Sequence, residues 1–331
     1  MRMRTLGSNG PAVCAIGLGC MGMSGVYGPA DEAESIATIH AALDAGVTLL
    51  DTGDFYGMGH NEMLIRDALR SRDRDEALLS VKFGALRGPD NRWHGNDARP
   101  AAVHNFLAYT LRRLGTDHVD VYRPARVDPD VPIEETIGAI SELVAAGYVR
   151  YVGLSEVSAD TLRRAHAVHP ICDVQIEYSL IERSIEDQLL PACAELGVAV
   201  TAYGVLSRGL LGGHWSAAQA VAPGDFRAHA PRFSGENLDH NLELVERLRA
   251  LAAPLGVSVA AVAIAWVLTR SEQVIALVGA RTRERLDDAL TALDVDLDDR
   301  AMEALEAAFP RGIAAGTRYP EAGMAQLDSE R

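Results

Sequence analysis

Short apolar runs alternate along the chain with longer segments whose apolar side chains recur every three or four residues. The short runs have the length of buried strands, and the longer segments have the spacing of amphipathic helices. The runs cover residues 15–18, 48–51, 78–82, 118–122, 151–154, 173–177, 198–203 and 274–278. Because each run is followed by a helical segment, the pattern is typical of a parallel sheet buried on both faces. Eight such units without a composition break favour one α/β domain over residues 1–331. We predict a (β/α)8 TIM barrel rather than a doubly wound sheet.

Two stretches depart from the alternation. Before the first run, the chain predicts a β-hairpin that turns at Ser8, Asn9 and Gly10. Residues 204–236 are rich in Gly, Pro, Ser and Ala and carry no helical or strand period. Loops of this length are usually functional, so we predict a loop that serves the binding site. Disorder is expected only near the C-terminus.

Composition narrows the classes of function. The net charge of −15 and the pI near 5.1 disfavour binding to nucleic acid or to an anionic membrane. The sequence offers neither a secretory signal pattern nor an apolar stretch long enough to span a bilayer. Its cysteines, Cys14, Cys20, Cys172 and Cys193, lack metal-ligand spacing and are expected to be reduced. We therefore expect a cytoplasmic protein without a metal site.

The chain contains a single lysine, Lys82, among 31 basic Lys and Arg residues. Lys82 ends the third apolar run, Asp51 ends the second, and Tyr56 follows Asp51 in the next loop. The C-terminal ends of barrel strands converge on one face, so these three side chains are expected to meet. A phenol has a pKa of about 10 and needs a neighbouring cation to exchange its proton near neutral pH. We predict that Asp51 holds Lys82 and that Lys82 tunes Tyr56 as a general acid. The alternative is a structural ion pair beside an aromatic ring.

Residues 17–22 read GLGCMG and match the dinucleotide-binding pattern G-x-G-x-x-G. In a Rossmann fold the last glycine of that pattern opens a helix, whereas here the loop continues to about Asp31. We interpret these glycines as a close backbone approach at the end of the first strand.

Several motifs in a fixed order resemble the aldo-keto reductase superfamily, including its bacterial branch with pyridoxal reductases. They are DTGDFYGMGHNE (51–62), VKFG (81–84), DVYRPARVDPDVPIEET (120–136), VRYVGLSE (149–156), VQIEYSL (174–180), TAYGVLSRGLL (201–211) and VGARTRERLDDAL (278–290). The resemblance spans nearly the whole chain. It implies a barrel that reduces a small aldehyde or ketone with NADPH, which becomes NADP+, and without a metal.

The resemblance also implies roles for individual residues. Tyr56 would be the general acid, with Lys82 and Asp51 as its partners. The cofactor would contact Gly19, Met21, Ser155, Glu156, Gln175, Tyr203, Gly204, Leu206, Ser207, Arg208, Gly209, Gly279, Arg281, Arg285 and Asp288. Within this set, Tyr203 would stack on the nicotinamide, the loop 204–236 would cover the pyrophosphate, and Arg285 would meet the 2′-phosphate. Independently of the resemblance, Arg281, Arg283 and Arg285 form a basic cluster that predicts phosphate binding in an acidic protein.

The sequence departs from the family at several positions. Ala125 stands where the family has a catalytic histidine, and Glu156 and Ala289 stand where it has asparagines. Arg123 shares the strand face of Ala125, so it either meets the substrate or pairs with an interior carboxylate. For the substrate pocket we predict Phe55, Trp93 and Arg123, with His94 as a possible replacement for the histidine.

Three functions remain open from the sequence. The first is an NADPH-dependent reductase of aldehydes or ketones, with pyridoxal or another aromatic aldehyde as the favoured substrate type. The second is a nicotinamide-binding regulatory subunit with little or no turnover, similar to potassium-channel β subunits, which also lack the histidine. The third, a barrel glycosidase, is disfavoured because it needs paired carboxylates rather than a Tyr–Lys set. The sequence leaves the oligomeric state open.

Overall fold

A closed barrel of parallel strands forms the body of the molecule. The computed structural model describes residues 1–90, 92–216 and 224–330. Its strands are β1 (Met3–Thr5), β2 (Ala12–Cys14), β3 (Ile16–Gly19), β4 (Leu49–Gly53), β5 (Leu78–Phe83), β6 (Ala85–Arg87), β7 (Trp93–Asn96), β8 (Val119–Pro124), β9 (Val149–Ser155), β10 (Ile171–Glu177), β11 (Ala199–Tyr203) and β12 (Val274–Gly279). The barrel order is β3-β4-β5-β8-β9-β10-β11-β12, with β12 paired to β3. Each barrel strand overlaps one predicted apolar run, so the predicted (β/α)8 fold is confirmed.

Helices cover the outside of the barrel. They are α1 (Glu32–Asp44), α2 (His60–Leu69), α3 (Pro100–Leu114), α4 (Ile133–Ala145), α5 (Ala159–Val168), α6 (Leu189–Leu196), α7 (Gly235–Ala252), α8 (Val259–Thr269), α9 (Arg283–Leu290), α10 (Asp299–Ala308) and α11 (Glu321–Met324). The start of α1 follows ordinary capping rules, since the Asp31 side chain accepts a 2.7 Å hydrogen bond from the backbone nitrogen of Glu34. Gly46, with φ of 82°, reverses the chain after α1.

The N-terminal hairpin closes one end of the barrel. Strands β1 and β2 pair antiparallel, as the sequence predicted. Leu6 and Val13 of the hairpin pack into a buried cluster with Leu49, Val121 and Ile275 from the barrel strands. Because this apolar cluster fills the N-terminal end, the opposite end, where the strands finish, is the mouth that can hold a site.

The long segment between β11 and α7 folds largely into short 3-10 turns, at Ser207–Gly212, Phe226–His229 and Pro231–Phe233. Part of the predicted loop 204–236, residues 217–223, lies outside the described residues. All four cysteines are buried free thiols. In the described chain, no single helix is long and apolar enough to cross a membrane, though the bent pair Gly235–Leu255 and Val259–Thr269 passes that test jointly.

Candidate active site

A buried ion pair lies at the barrel mouth between neighbouring strand ends. Lys82 on β5 donates to Oδ1 of Asp51 on β4, and both side chains are 4% exposed. The other carboxylate oxygen, Oδ2, accepts from Ser80 Oγ at 2.9 Å and from Gln175 Nε2 at 2.7 Å. A buried carboxylate is tolerated when both oxygens are hydrogen-bonded, so this arrangement fixes the position of the ammonium. Burial lowers the pKa of Lys82, and the charge of Asp51 opposes that shift.

Tyr56 lies directly against this pair. It follows β4 in a tight turn in which Gly57 and Met58 adopt left-handed backbone angles, with φ of 57° and 56°. The Nζ atom of Lys82 is 5.1 Å from the centroid of the Tyr56 ring. Burial and then the charge of Asp51 raise the pKa of Tyr56 well above its usual value. Arg126 opposes this shift without reversing it, so the net direction is opposite to the lowering of the Tyr56 pKa by Lys82 that the sequence predicted.

An aromatic wall continues from Tyr56 to the β6–β7 hairpin. The ring centroids of Phe55 and Tyr56 are 4.8 Å apart at 78°, and those of Phe55 and Trp93 are 6.0 Å apart at 80°. Phe55 and Trp93, which were both predicted for the substrate pocket, therefore lie in one line of aromatic contacts with Tyr56. His94 on β7 is exposed instead, with Nε2 3.6 Å from a carboxylate oxygen of Asp90. His94 therefore sits on the solvent side of the hairpin rather than in the place of a catalytic histidine.

Arg123 corrects one sequence prediction. Its Nη1 donates to Asp173 Oδ2 at 2.9 Å, and its Nη2 donates to Ser80 Oγ at 2.9 Å. The residue is 1% exposed. Gly153 leaves the space for this pair, because a Cβ there would lie 2.6 Å from Asp173 Oδ1. The alternation of side chains along β8 predicted the side of the strand on which Arg123 lies, but not how deeply its side chain is buried in the barrel. Arg123 is therefore an interior counter-ion and not the predicted substrate contact.

The residues predicted to hold the nicotinamide lie on adjacent strand ends. Ser155 on β9 pairs in register with Gln175 on β10, and Glu177 pairs with Tyr203 on β11. The Tyr203 hydroxyl donates to Glu156 Oε1 at 2.6 Å. Glu156 is buried in a left-handed conformation with φ of 54°. The four predicted residues therefore lie on or beside neighbouring strand ends, and Gln175 also contacts Asp51, the partner of Lys82.

The other residues predicted to contact the cofactor include two paired glycines and a turn of left-handed backbone. Gly19 and Gly279 pair at the ends of β3 and β12, and a Cβ at either position would meet nothing closer than 3.6 Å. The turn that Leu206 precedes has left-handed backbone at Ser207 and Arg208, with φ of 45° and 57°. Gly204 and Gly209 share that conformation. Successive residues of this kind can build anion-binding concavities, but the backbone nitrogens of Ser207 and Gly209 already donate to the carbonyl oxygens of Gly204 and Leu206, at 2.6 and 2.9 Å.

The predicted basic cluster divides between two roles. Arg281 donates to the carbonyl oxygens of Tyr27 and Pro29, each at 3.1 Å, and a Cβ on Gly22 beside Met21 would lie 3.3 Å from Arg281 Cγ. Arg283 pairs with Glu34 at 2.9 Å. Arg285 is exposed in the first turn of α9, one turn before Asp288, and forms no ion pair with the described residues. Arg281 and Arg285 therefore have no carboxylate partner among the described residues, but the guanidinium of Arg281 is held by backbone carbonyl oxygens.

The model of the Aldo/keto reductase family matches residues 15–309. The chain belongs to the aldo/keto reductase family. It is 41% identical over 317 residues to "Probable aldo-keto reductase 1" of Glycine max, a match that covers 95% of this chain and 90% of that protein. The resemblance inferred from the motifs is therefore confirmed.

Solved aldo/keto reductases and dehydrogenases share the fold of this reductase. The glycerol dehydrogenase AKR11B4 from Gluconobacter oxydans is similar with a TM-score of 0.83 and 29% identity, over 92% of this chain and 94% of that one. The thermostable aldo-keto reductase Tm1743, solved with the inhibitor epalrestat, is similar with a TM-score of 0.74 and 27% identity. That match covers 93% of this chain and all of the other. Family membership makes the protein an oxidoreductase of a family that generally uses nicotinamide cofactors.

The sequence analysis missed the C-terminal segment of this aldo/keto reductase. Arg318 is buried and donates from Nη1 and Nη2 to the two carboxylate oxygens of Glu156, each at 3.1 Å. The Tyr319 hydroxyl lies 3.0 Å from the Tyr203 hydroxyl and accepts from Arg126 Nη2 at 3.2 Å. The only signal in the sequence was an Arg-Tyr pair in a stretch without periodicity. The segment therefore forms part of the mouth, whereas the sequence had led us to expect disorder only near the C-terminus.

One carboxylate links this segment to the long loop. Glu177 at the end of β10 has guanidinium nitrogens of Arg232, Arg208 and Arg318 at 3.2, 3.7 and 3.7 Å. Burial raises the pKa of Glu177, and the three arginines oppose that shift. Because Arg208 and Arg232 lie in the loop after β11, the loop and the C-terminal segment are fixed to the same strand end.

Proposed function

We propose that the protein is an NADPH-dependent reductase that converts a small aldehyde or ketone to the alcohol. The observation that carries this proposal is the buried set of Tyr56, Lys82 and Asp51 at the barrel mouth, beside the aromatic wall. When bound, the reduced nicotinamide supplies the hydride that goes to the carbonyl carbon.

Tyr56 gives its phenolic proton to the carbonyl oxygen, which becomes the alcohol hydroxyl. Burial keeps the phenol protonated before the step, because it raises the pKa of Tyr56. The ammonium of Lys82 then stabilises the phenolate that remains until a proton returns from solvent. A positioned proton donor is worth about 10² to 10⁴ in rate.

Asp51 acts on Lys82 rather than on the substrate. It holds the ammonium against Tyr56, and Ser80 and Gln175 hold Asp51 in turn. A forked guanidinium at position 82 has a different shape and a more dispersed charge, so it is a poor replacement. This requirement explains why a chain that otherwise uses arginine keeps one lysine.

The proposed cofactor contacts divide into two ends. Ser155, Glu156, Gln175 and Tyr203 border the nicotinamide end, and Gly19, Met21, Gly204, Leu206, Ser207, Arg208, Gly209, Gly279, Arg281, Arg285 and Asp288 border the phosphate and adenine end. Arg285, which forms no ion pair with the residues that the structure describes, supports a preference for the 2′-phosphate of NADPH. The apolar faces of Phe55 and Trp93 suit an aromatic aldehyde.

One observation favours a second function, a nicotinamide-binding subunit with little turnover. Ala125 is 1% exposed and has no donor in its side chain, so the histidine of the family has no direct substitute there. The intact Tyr56, Lys82 and Asp51 set supports the reductase.

Oxidation of NADPH in the presence of benzaldehyde, pyridoxal and methyl 4-formylbenzoate tests the proposal. We expect turnover by the wild type and a loss of at least ~100-fold in kcat for Tyr56→Phe and Lys82→Met, with NADPH affinity retained in calorimetry. Tyr109→Phe is the matched control, because Tyr109 is 59% exposed on α3. Binding of NADPH without oxidation by any of these aldehydes favours the regulatory function, and equal activity of Tyr56→Phe contradicts the assigned acid.

A further inference from the structure

Arg126 is a guanidinium at the barrel mouth to which the proposed reaction assigns no role. It follows Ala125, immediately after β8, and is half-buried. Its Nη1 donates to the carbonyl oxygen of Ala125 at 2.6 Å, and its Nη2 donates to the Tyr319 hydroxyl at 3.2 Å. A guanidinium has five N–H donors, so these two bonds leave part of its donor set unused.

Arg126 differs from the other arginines at the mouth in having no carboxylate partner. Arg232, Arg208 and Arg318 each lie within ion-pair distance of Glu177. Arg126 forms no ion pair with any residue in the described ranges. Glu156 acts on Arg126 only through its charge and not through a direct ion pair. A half-buried cation without a direct ion-pair partner is costly, and such groups are usually neutralised by a ligand or a partner.

Arg126 lies beside the strand end that carries Lys82, because the backbone nitrogen of Ala125 donates to the carbonyl oxygen of Phe83 at 2.8 Å. The charge of Arg126 acts on Tyr56, where it opposes the raising of the phenol pKa that burial causes. The guanidinium carbon also lies 5.7 Å from the centroid of the Tyr319 ring. Since the Tyr319 hydroxyl contacts both Arg126 and Tyr203, Arg126 lies at the mouth beside a residue proposed to border the nicotinamide.

We propose that Arg126 binds an anionic group of the substrate, a carboxylate or a phosphate. The preferred substrates are then small aldehydes or ketones whose apolar body lies against Phe55 and Trp93 and whose anion meets the guanidinium. The proposal rests on the reductase function and names its substrate class. It also replaces Arg123, which is neutralised by Asp173, as the anion partner.

The test compares two aldehydes that differ only in charge, 4-carboxybenzaldehyde and its methyl ester. In the wild type we expect the acid to have the higher kcat/KM. In Arg126→Gln we expect the acid-to-ester ratio to fall about 10- to 100-fold, mainly through KM, since a charge-assisted hydrogen bond is lost. Because the charge of Arg126 also acts on Tyr56, any change in kcat that is common to both aldehydes is read from the ester, and the acid-to-ester ratio isolates the effect on the anion. An unchanged ratio overturns the proposal.

Further variants separate charge from structure. Arg126→Lys keeps the charge and should restore part of the ratio, whereas Arg112→Gln, an exposed charge on α3, should leave the ratio unchanged. In the wild type the acid-to-ester ratio should decrease as salt is added. A ratio that is insensitive to salt counts against the proposal even if the Gln variant does not fold. Replacing the acid by 4-formylphenyl phosphate, with 4-methoxybenzaldehyde as its neutral counterpart, tells whether carboxylate or phosphate is preferred.

Binding of the alcohol product to Arg126 can be measured independently of the reductase activity. Calorimetry with 4-(hydroxymethyl)benzoate and its methyl ester needs no turnover. Weaker binding of the anion to Arg126→Gln, with unchanged binding of the ester, supports the anion site even if no aldehyde is reduced. If both aldehydes are reduced but the wild type and the variant bind the anion equally well, the reductase function is supported and the anion site is contradicted.

Discussion

Arg318 holds Glu156 with both terminal nitrogens of its guanidinium, each 3.1 Å from a different carboxylate oxygen. Both side chains are buried, and the two residues are 162 positions apart in sequence. The pair joins the C-terminal segment to the end of β9, at the mouth of the barrel. Although burial alone raises the pKa of Glu156, Arg318 and then Arg126 bring the pKa to about 2.

Removal of one partner of this pair should be far more costly than removal of both charges. Arg318→Met leaves Glu156 buried without its forked donor, and we expect a loss of about 3–5 kcal/mol in the free energy of unfolding. The double variant Arg318→Met with Glu156→Gln should recover most of that loss. Urea denaturation measures both. Arg164→Met, which breaks the exposed pair with Glu134, serves as the control and should change little. A loss for Arg318→Met no larger than this control contradicts the prediction.

Asp54 should make the protein less stable as pH rises. Burial and then the charge of Glu62 raise the pKa of Asp54 to about 8, and Arg113 opposes them. Between its ordinary pKa of 3.8 and that value, the folded state keeps a proton that the unfolded state has lost. The free energy of unfolding therefore falls with pH in this window, by at most about 1.4 kcal/mol per pH unit for this group.

Asp54→Asn imitates the protonated acid and should remove that slope. Urea denaturation at pH 5, 6, 7 and 8 gives the difference between variant and wild type, in which the other titrating groups cancel. We expect the difference to grow in favour of the variant up to about pH 8 and then to level off. A difference that does not depend on pH contradicts the assigned burial of the charge.

The fold and the meeting of Asp51, Tyr56 and Lys82 could be predicted from the sequence for a simple physical reason. Strands buried on both faces must be continuously apolar, so their positions are visible, and their ends converge on Asp51, Tyr56 and Lys82. The partner of Arg123 could not be predicted, because parity gives a face and not a depth. The role of Arg318 depends on a contact across most of the chain from a segment without periodicity, and no local pattern encodes such a contact.

Gly153 should not tolerate a methyl group. A Cβ there would lie 2.6 Å from Asp173 Oδ1 and 3.2 Å from the guanidinium carbon of Arg123, two groups held in a buried pair. Gly153→Ala should therefore destabilise the protein by about 1–3 kcal/mol in thermal or urea denaturation. Gly138→Ala in α4 is the matched control, because nothing lies within 4 Å of the added methyl group. That change should stabilise the helix by up to about 1 kcal/mol, so equal effects of the two substitutions contradict the prediction.

Arg285 should decide between the two nicotinamide cofactors. Its guanidinium has no ion-pair partner among the residues the structure describes, whereas Arg283 is paired with Glu34. Arg285→Gln should weaken NADPH binding about 10- to 100-fold, because a charge-assisted contact with the 2′-phosphate is lost. NADH lacks that phosphate, so its affinity should not change.

Fluorescence titration of both cofactors gives the dissociation constants without turnover, and Arg283→Gln is the matched control with the same change of charge. If Arg285→Gln weakens the binding of NADPH and of NADH equally, Arg285 does not bind the 2′-phosphate. If Arg283→Gln has the larger effect, the pair with Glu34 opens when the cofactor binds, and the phosphate is held by Arg283.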